Sequence, residues 1–229
     1  MNRQFDPATL ELMDRPQPVS RELERDLENL RQLNRWFGSY ALIGRFMRRW
    51  LERGRQLRIV DLATGSGDIA RLIVDLAQRA GASVRLTAVD KQPATLAIAR
   101  RLSADYPQIE FVEADLLGFE TAEPFDIVVC SLVLHHFSNE DAVRVLRRCR
   151  ELSRRFVLVA DLRRGWFLTA GVYLLTALVF RESMTRYDGR LSAARAFSFA
   201  EMAELARRAG WDKFEHARFR FGRQAIWIE

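Results

Sequence analysis

Apolar positions follow two alternating rhythms between residues 57 and 160. The runs 57–62, 84–89, 109–113, 125–131 and 155–160 concentrate Val, Ile, Leu and Phe over strand lengths. Between them, 68–80, 93–105 and 139–152 carry apolar residues at helical spacing, as in Ile69, Leu72, Ile73 and Leu76. Strands alternating with helices predict an α/β fold built on a parallel, doubly wound sheet.

The flanks behave differently. Pro7, Pro16 and Pro18 predict an irregular arm up to about residue 20. Residues 20–53 are helical in pattern, with Leu23, Leu27, Leu30, Trp36, Phe37 and Tyr40 apolar and breaks expected near Gly38 and Gly44. The rhythm stops over 162–197. Ser198-x-x-Glu201 then forms a capping-box signature for a helix reaching Ala209. Two final strands are expected around a tight turn at Gly222. The expected organisation is an arm and helical lid over 1–55, then one domain over 56–229 with an insert at about 162–197.

The chemistry begins where the first strand ends. IVDLATGSGD (59–68) reads as strand, glycine turn and helix, and the next strand ends in Asp90. Such a turn lets backbone approach a ligand closely, and a carboxylate at the second strand end can accept both hydroxyls of a ribose. Phosphate ligands fit poorly. No Gly-Lys-Ser/Thr ending follows, and Asp68 sits where a pyrophosphate would lie. Asp61 and Asp68 around the turn suit a cation. An adenosine cofactor with positive charge and no phosphate is S-adenosylmethionine (SAM).

IVDLATGSGD, AVD, FVEADLL and FDIVVCSLVLHHF, in this order and spacing, resemble the motifs of class I SAM-dependent methyltransferases over about residues 57–161. Ala63 departs from the family's usual glycine. The resemblance implies a seven-stranded sheet of order 3-2-1-4-5-7-6 with its last strand pair antiparallel. It also implies that Asp61 and the backbone of Ala63, Thr64, Gly65, Ser66 and Gly67 hold the methionine part of the cofactor. Asp90, with Lys91 beside it, would take the ribose hydroxyls. Asp115 and the Leu116 backbone would meet the adenine, and Ser131 and Leu132 would line the methionine side. Asp68 is read instead as a residue that opens the helix.

His135 and His136 follow strand four, and Asp161 ends strand five, at the same sheet edge. A histidine oriented by a carboxylate is equipped to take a hydroxyl proton. Either histidine, fixed by Asp161, is the candidate base; packing beneath the cofactor is the competing role. An Asn/Asp-Pro-Pro-aromatic motif for amine acceptors is missing, and Cys130 follows Val129 rather than a proline. The expected acceptor is therefore a small molecule. A looser similarity to the bacterial branch acting on quinones, sugars and polyketide phenols favours a hydrophobic hydroxyl acceptor. Carbon methylation of an activated ring and a non-catalytic SAM-binding subunit are the alternatives.

Composition adds limits. The net charge is +6, but only Lys91 and Lys213 are lysines, and the arginines are interleaved with acids; no nucleic-acid partner is expected. Cys130 and Cys149 are isolated, so neither a disulfide nor a metal site is expected, and the compartment expected is the cytoplasm. The uncharged run 166–180, bounded by Arg163, Arg164 and Arg181, is shorter than the roughly twenty residues that span a bilayer. Roof of an apolar pocket is its first reading; core or dimer packing and membrane-surface contact are the others. Arg186, Tyr187 and Arg190 are candidates for polar contact with the substrate. Trp36, Phe37 and Tyr40 are candidates for an aromatic lid.

Overall fold

A computed structural model describes residues 2–180 and 182–229; Arg181, expected to flank the apolar run, lies outside the described residues. Within the described residues seven strands form one sheet: β1 (Gln56–Leu62), β2 (Ser83–Asp90), β3 (Ile109–Glu113), β4 (Phe125–Ser131), β5 (Ser153–Leu162), β6 (Glu215–Phe219) and β7 (Arg223–Ile228). Their order is β3-β2-β1-β4-β5-β7-β6, with β7 antiparallel to both neighbours. The central strands are largely apolar because helices cover both faces: Phe125 to Cys130 of β4 is buried at every position, Asp126 included.

Among the described residues are eight α-helices: α1 (Arg21–Trp36), α2 (Ser39–Trp50), α3 (Asp68–Ala80), α4 (Pro93–Leu102), α5 (Asn139–Glu151), α6 (Trp166–Leu178), α7 (Ser183–Arg195) and α8 (Phe199–Arg208). One core layer packs α2 and α3 on the sheet through Ile43, Phe46, Met47, Ile73 and Trp50, the last stacked on Phe156 at 4.8 Å. The other packs α5 and α8 through Leu146, Cys149, Met202 and Leu205. The expected break at Gly38 is present, at a φ of +87°. The one expected at Gly44 is not: Gly44 is buried within α2, whose packing on α3 carries the helix through it. Likewise α2 packs in the core layer with α3, whereas Leu23 and Leu27 of α1 sit in a separate cluster with Ala94, Ile98 and Met184.

Two glycines make the turn after β1. Gly65 has a φ of +55° with nothing within 4 Å of where a Cβ would stand, so the turn leaves open space there. Gly67, the N-cap of α3, has a φ of +73°, and a Cβ would meet the Phe111 ring at 3.1 Å. Both alanine substitutions carry the left-handed backbone cost of about 1–2 kcal/mol. Only Gly67→Ala must also displace Phe111. Urea denaturation without cofactor should therefore rank Gly67→Ala as the less stable of the two; equal midpoints would refute the close approach.

Candidate active site

The turn after β1 is held by its own acids. Asp61 is buried and accepts the Thr64 hydroxyl at 2.6 Å. Asp90 accepts the Gly65 amide at 2.9 Å and the Gln92 amide at 3.0 Å, tying the turn to the end of β2. Asp68 opens α3 as its first residue, where a carboxylate suits the helix dipole, and accepts Asn34 Nδ2 and Tyr40 Oη, each at 3.1 Å. Burial pushes Asp61 up to about 7, against the Thr64 bond, and the nearby Asp68 and Asp90 carboxylates add to the rise. Among the described residues no cation offsets them.

Two strand ends beside this turn adopt backbone that side chains disfavour. Ala63 after β1 has a φ of +55° and Leu132 after β4 a φ of +59°. Positive φ at non-glycine residues costs roughly 1–3 kcal/mol each and concentrates at functional sites. Next to Leu132, the Ser131 hydroxyl is buried without a hydrogen-bond partner among the described residues.

After β4 a short 3-10 turn, Leu134–His136, presents both imidazoles. Asp161 accepts the His135 amide at 2.8 Å and the Leu162 amide at 2.7 Å, and stands 2.6 Å from His135 Nδ1. Burial would raise this carboxyl, but His135 outweighs it and holds Asp161 below the usual range. His136 turns toward the arm instead: its Nδ1 lies 2.6 Å from Asp14 Oδ2. Asp161 therefore orients His135 alone. Despite burial, the Glu11 and Asp14 carboxylates hold His136 up at about 9, and His136 holds Asp14 down at about 2.

Glu11 and Asp14 are functional-site residues that the sequence reading did not single out. They flank Leu12 and Met13, whose amides donate to the buried Asp188 at 2.6 and 3.0 Å. Arg3 adds bonds to the carbonyls of His135 and Phe137. The arm is thus fastened over the sheet edge. Its available signal was the i, i+3 acid pair enclosing two apolar residues.

These parts enclose one cavity of about 430 Å³. Its floor runs from Asp61, Ala63, Thr64, Gly65, Ser66, Asp68 and Asp90 to Ser131, Leu132, His135 and His136. Leu27, Leu30, Leu33 and Phe37 close one side, with Phe37 edge-on to Phe221 at 5.7 Å. Leu168, Gly171, Val172 and Leu175 of α6 roof it, while Trp166, Tyr173, Leu174 and Leu178 on the same helix face outward and are exposed. Among the described residues no helix is long and apolar enough to cross a membrane.

Several residues singled out in the sequence lie off this wall. Gly67 serves the turn, and Lys91 points outward, 3.8 Å from Asp14. Asp115 is exposed and accepts the Leu117 amide at 2.8 Å, and Leu116 is buried in the core. Trp36 is solvent-exposed, and Tyr40 packs on the core with its hydroxyl on Asp68, so Phe37 is the lid aromatic that reaches the cavity. Arg186 and Tyr187 are exposed, and Arg190 is engaged by Thr176 and the Tyr173 ring.

Sheet order and glycine turn define an α/β protein with a nucleoside-type cleft at the carboxyl ends of its strands. Residues 59–155 match the family profile described as a methyltransferase domain. Over that stretch the chain is similar to a methyltransferase domain, and its sheet has the order and fold of SAM-dependent methyltransferases of known structure. It is 35% identical to 2-phytyl-1,4-naphtoquinone methyltransferase of Thermosynechococcus vestitus over 108 residues, 47% of this chain and 45% of that one. It is 44% identical to demethylmenaquinone methyltransferase of Chlorobaculum tepidum over 79 residues, 34% of this chain and 28% of the relative. The matched segments thus span less than half of either relative. Among solved structures, human N-acetylserotonin methyltransferase in complex with SAM superposes with a TM-score of 0.64 at 19% identity, over 90% of this chain and 55% of that one. The plantazolicin methyltransferase BpumL gives 0.67 at 12% identity, over 90% and 89%.

Proposed function

We propose that the protein transfers a methyl group from SAM to a hydroxyl of a small, hydrophobic, phenol- or quinol-like acceptor. One observation carries this reading. A single cavity joins a carboxylate-lined glycine turn to a histidine held by a buried carboxylate, under an apolar roof.

The turn fits the cofactor. Among the described residues no cation pairs with buried Asp61 and nothing bonds the Ser131 hydroxyl, and the space over Gly65 is open. Asp61 would hold the ammonium and the Ala63–Ser66 backbone the methionine chain. Each Asp90 oxygen accepts one backbone bond and keeps a lone pair for a ribose hydroxyl. SAM supplies, when bound, a methyl group on a positively charged sulfur. The apolar walls align an acceptor and keep water out, which for a displacement reaction is most of the work. His135, its Nδ1–H donated to Asp161, presents Nε2 to the acceptor hydroxyl and takes its proton. The quinone names of the two relatives favour a bicyclic aromatic acceptor.

Calorimetry should show one equivalent of SAM bound and no NAD. Incubation with SAM and a panel of naphthols and hydroquinones should give products one methyl heavier, with the methyl on oxygen by NMR. A carbon-bound methyl would refute the hydroxyl assignment. SAM binding without product on any phenol would favour a binding subunit.

A further inference from the structure

At the cavity floor three side chains converge with no hydrogen bond between them, the two imidazole rings 4.4 Å apart. The ligand atoms of Glu11, His135 and His136 lie within 4.8 Å of one another. Glu11 Oε1 is 3.9 Å from His135 Nε2, and Oε2 is 3.7 Å from His136 Nε2. These gaps are too long for hydrogen bonds. Neither Nε2 has another hydrogen-bond partner among the described residues, although the side chains of His135 and Glu11 are each only 3% exposed. Meanwhile each Nδ1 meets a carboxylate at 2.6 Å, Asp161 for His135 and Asp14 for His136. That leaves Nε2 of each ring as the nitrogen that faces Glu11, and an ion binding there displaces the proton that His136 carries on it. Ser192 holds the Glu11 carboxylate at 2.8 Å.

We propose that Glu11, His135 and His136 bind a first-row divalent ion, Zn²⁺ or Fe²⁺, with an open position toward the cavity. Two imidazoles and one carboxylate form the donor set of open zinc sites and of ferrous facial triads, whereas Mg²⁺ and Ca²⁺ prefer oxygen throughout. Imidazoles backed by carboxylates are the usual outer shell of such sites. Bonds of about 2.0–2.2 Å place ligand atoms roughly 3–3.5 Å apart, so the two gaps to Glu11 close by less than about 1 Å. The cations around the site face the outer carboxylates: Arg3 and Arg223 act on Asp161, and the half-exposed Lys91 stands 3.8 Å from Asp14.

This inference rests on reading the cavity as an acceptor site and names the agent there. The ion's open position takes the acceptor oxygen; the O–H proton passes to bulk water and its electron pair stays on oxygen. In the loaded protein the ion thus does what is assigned above to the His135 lone pair.

Chelator-treated protein, titrated separately with Zn²⁺, anaerobic Fe²⁺ and the chromophoric probe Co²⁺, should take up one equivalent. Co²⁺ should develop visible absorption bands, and the relative affinities tell Zn²⁺ from Fe²⁺ as the preferred ion. Glu11→Gln, close to isosteric and still able to accept from Ser192, should weaken uptake at least ~100-fold, and Asp14→Asn about 10–100-fold. No stoichiometric uptake of any of the three ions, or uptake unchanged by Glu11→Gln, would overturn the site. Full methyl transfer by metal-free protein would overturn the ion's role and leave the proposed reaction standing. Uptake without methyl transfer to any acceptor would do the reverse.

Discussion

Asp61→Asn should bind SAM roughly 10–100-fold more weakly than the parent protein, the loss expected for one hydrogen bond to a charged group. The effect should carry a pH signature. Burial pushes Asp61 up to about 7, and Asp68 and Asp90 add to the rise. An ammonium ligand selects the ionised form, so affinity in the parent should climb as pH passes from 6 to 8 and then level. The asparagine variant should lack this rise. Stability moves the other way. The unfolded chain ionises Asp61 near its ordinary value, while the folded, ligand-free protein keeps the proton until about 7. Between those values the folded state binds more protons, so stability falls as pH rises. Asp61→Asn should remove that fall and leave the free protein more stable than the parent at pH 8. Calorimetry across pH and thermal melts at pH 5 and 8 check both halves. Unchanged affinity in the variant would take Asp61 out of cofactor binding.

The same residue shows why the turn was legible in the sequence. A strand ending in Asp61 and a turn requiring left-handed backbone at Gly65 and Gly67 are local requirements, written within ten residues. The central strands were legible for a similar reason, being apolar on both faces. Strand ends were less so. β5 runs over Ser153–Leu162 rather than 155–160, because its antiparallel pairing with β7 reaches Leu162, and its first residues, Ser153, Arg154 and Arg155, are polar. The α4 pattern continues to 105, but the helix stops at Leu102 with a turn at Ser103, whose hydroxyl Arg71 engages. Glu11 and Asp14 left no periodic trace. Their role depends on an arm fastened by Asp188, Arg195 and Arg3, contacts between distant parts of the chain. Trp36 misled because helical spacing fixes a face only to within a turn, and α1 ends there.

Asp161→Asn should cut turnover at saturating SAM by about 10²–10⁴-fold, the contribution of an oriented proton acceptor. Each Asp161 oxygen has a defined duty: Oδ1 accepts His135 Nδ1–H and the Leu162 amide, and Oδ2 accepts the His135 amide. Asparagine offers one oxygen and one amino group. With its oxygen in the Oδ1 place, the amino group opposes the His135 amide, and the 3-10 turn must shift. Reversed, the amino group opposes the Leu162 amide and is satisfied by His135 only in the other tautomer, which places the proton on Nε2 and removes the lone pair from the cavity. Either arrangement leaves a buried donor unpaired, at about 1–3 kcal/mol of stability. SAM affinity should stay close to the parent's, since no contact of the glycine turn passes through Asp161. That separates misorientation from collapse of the cavity. A folded Asp161→Asn protein with undiminished turnover would show that the tautomer of His135 has no part in the reaction, whether the imidazole holds a proton or an ion.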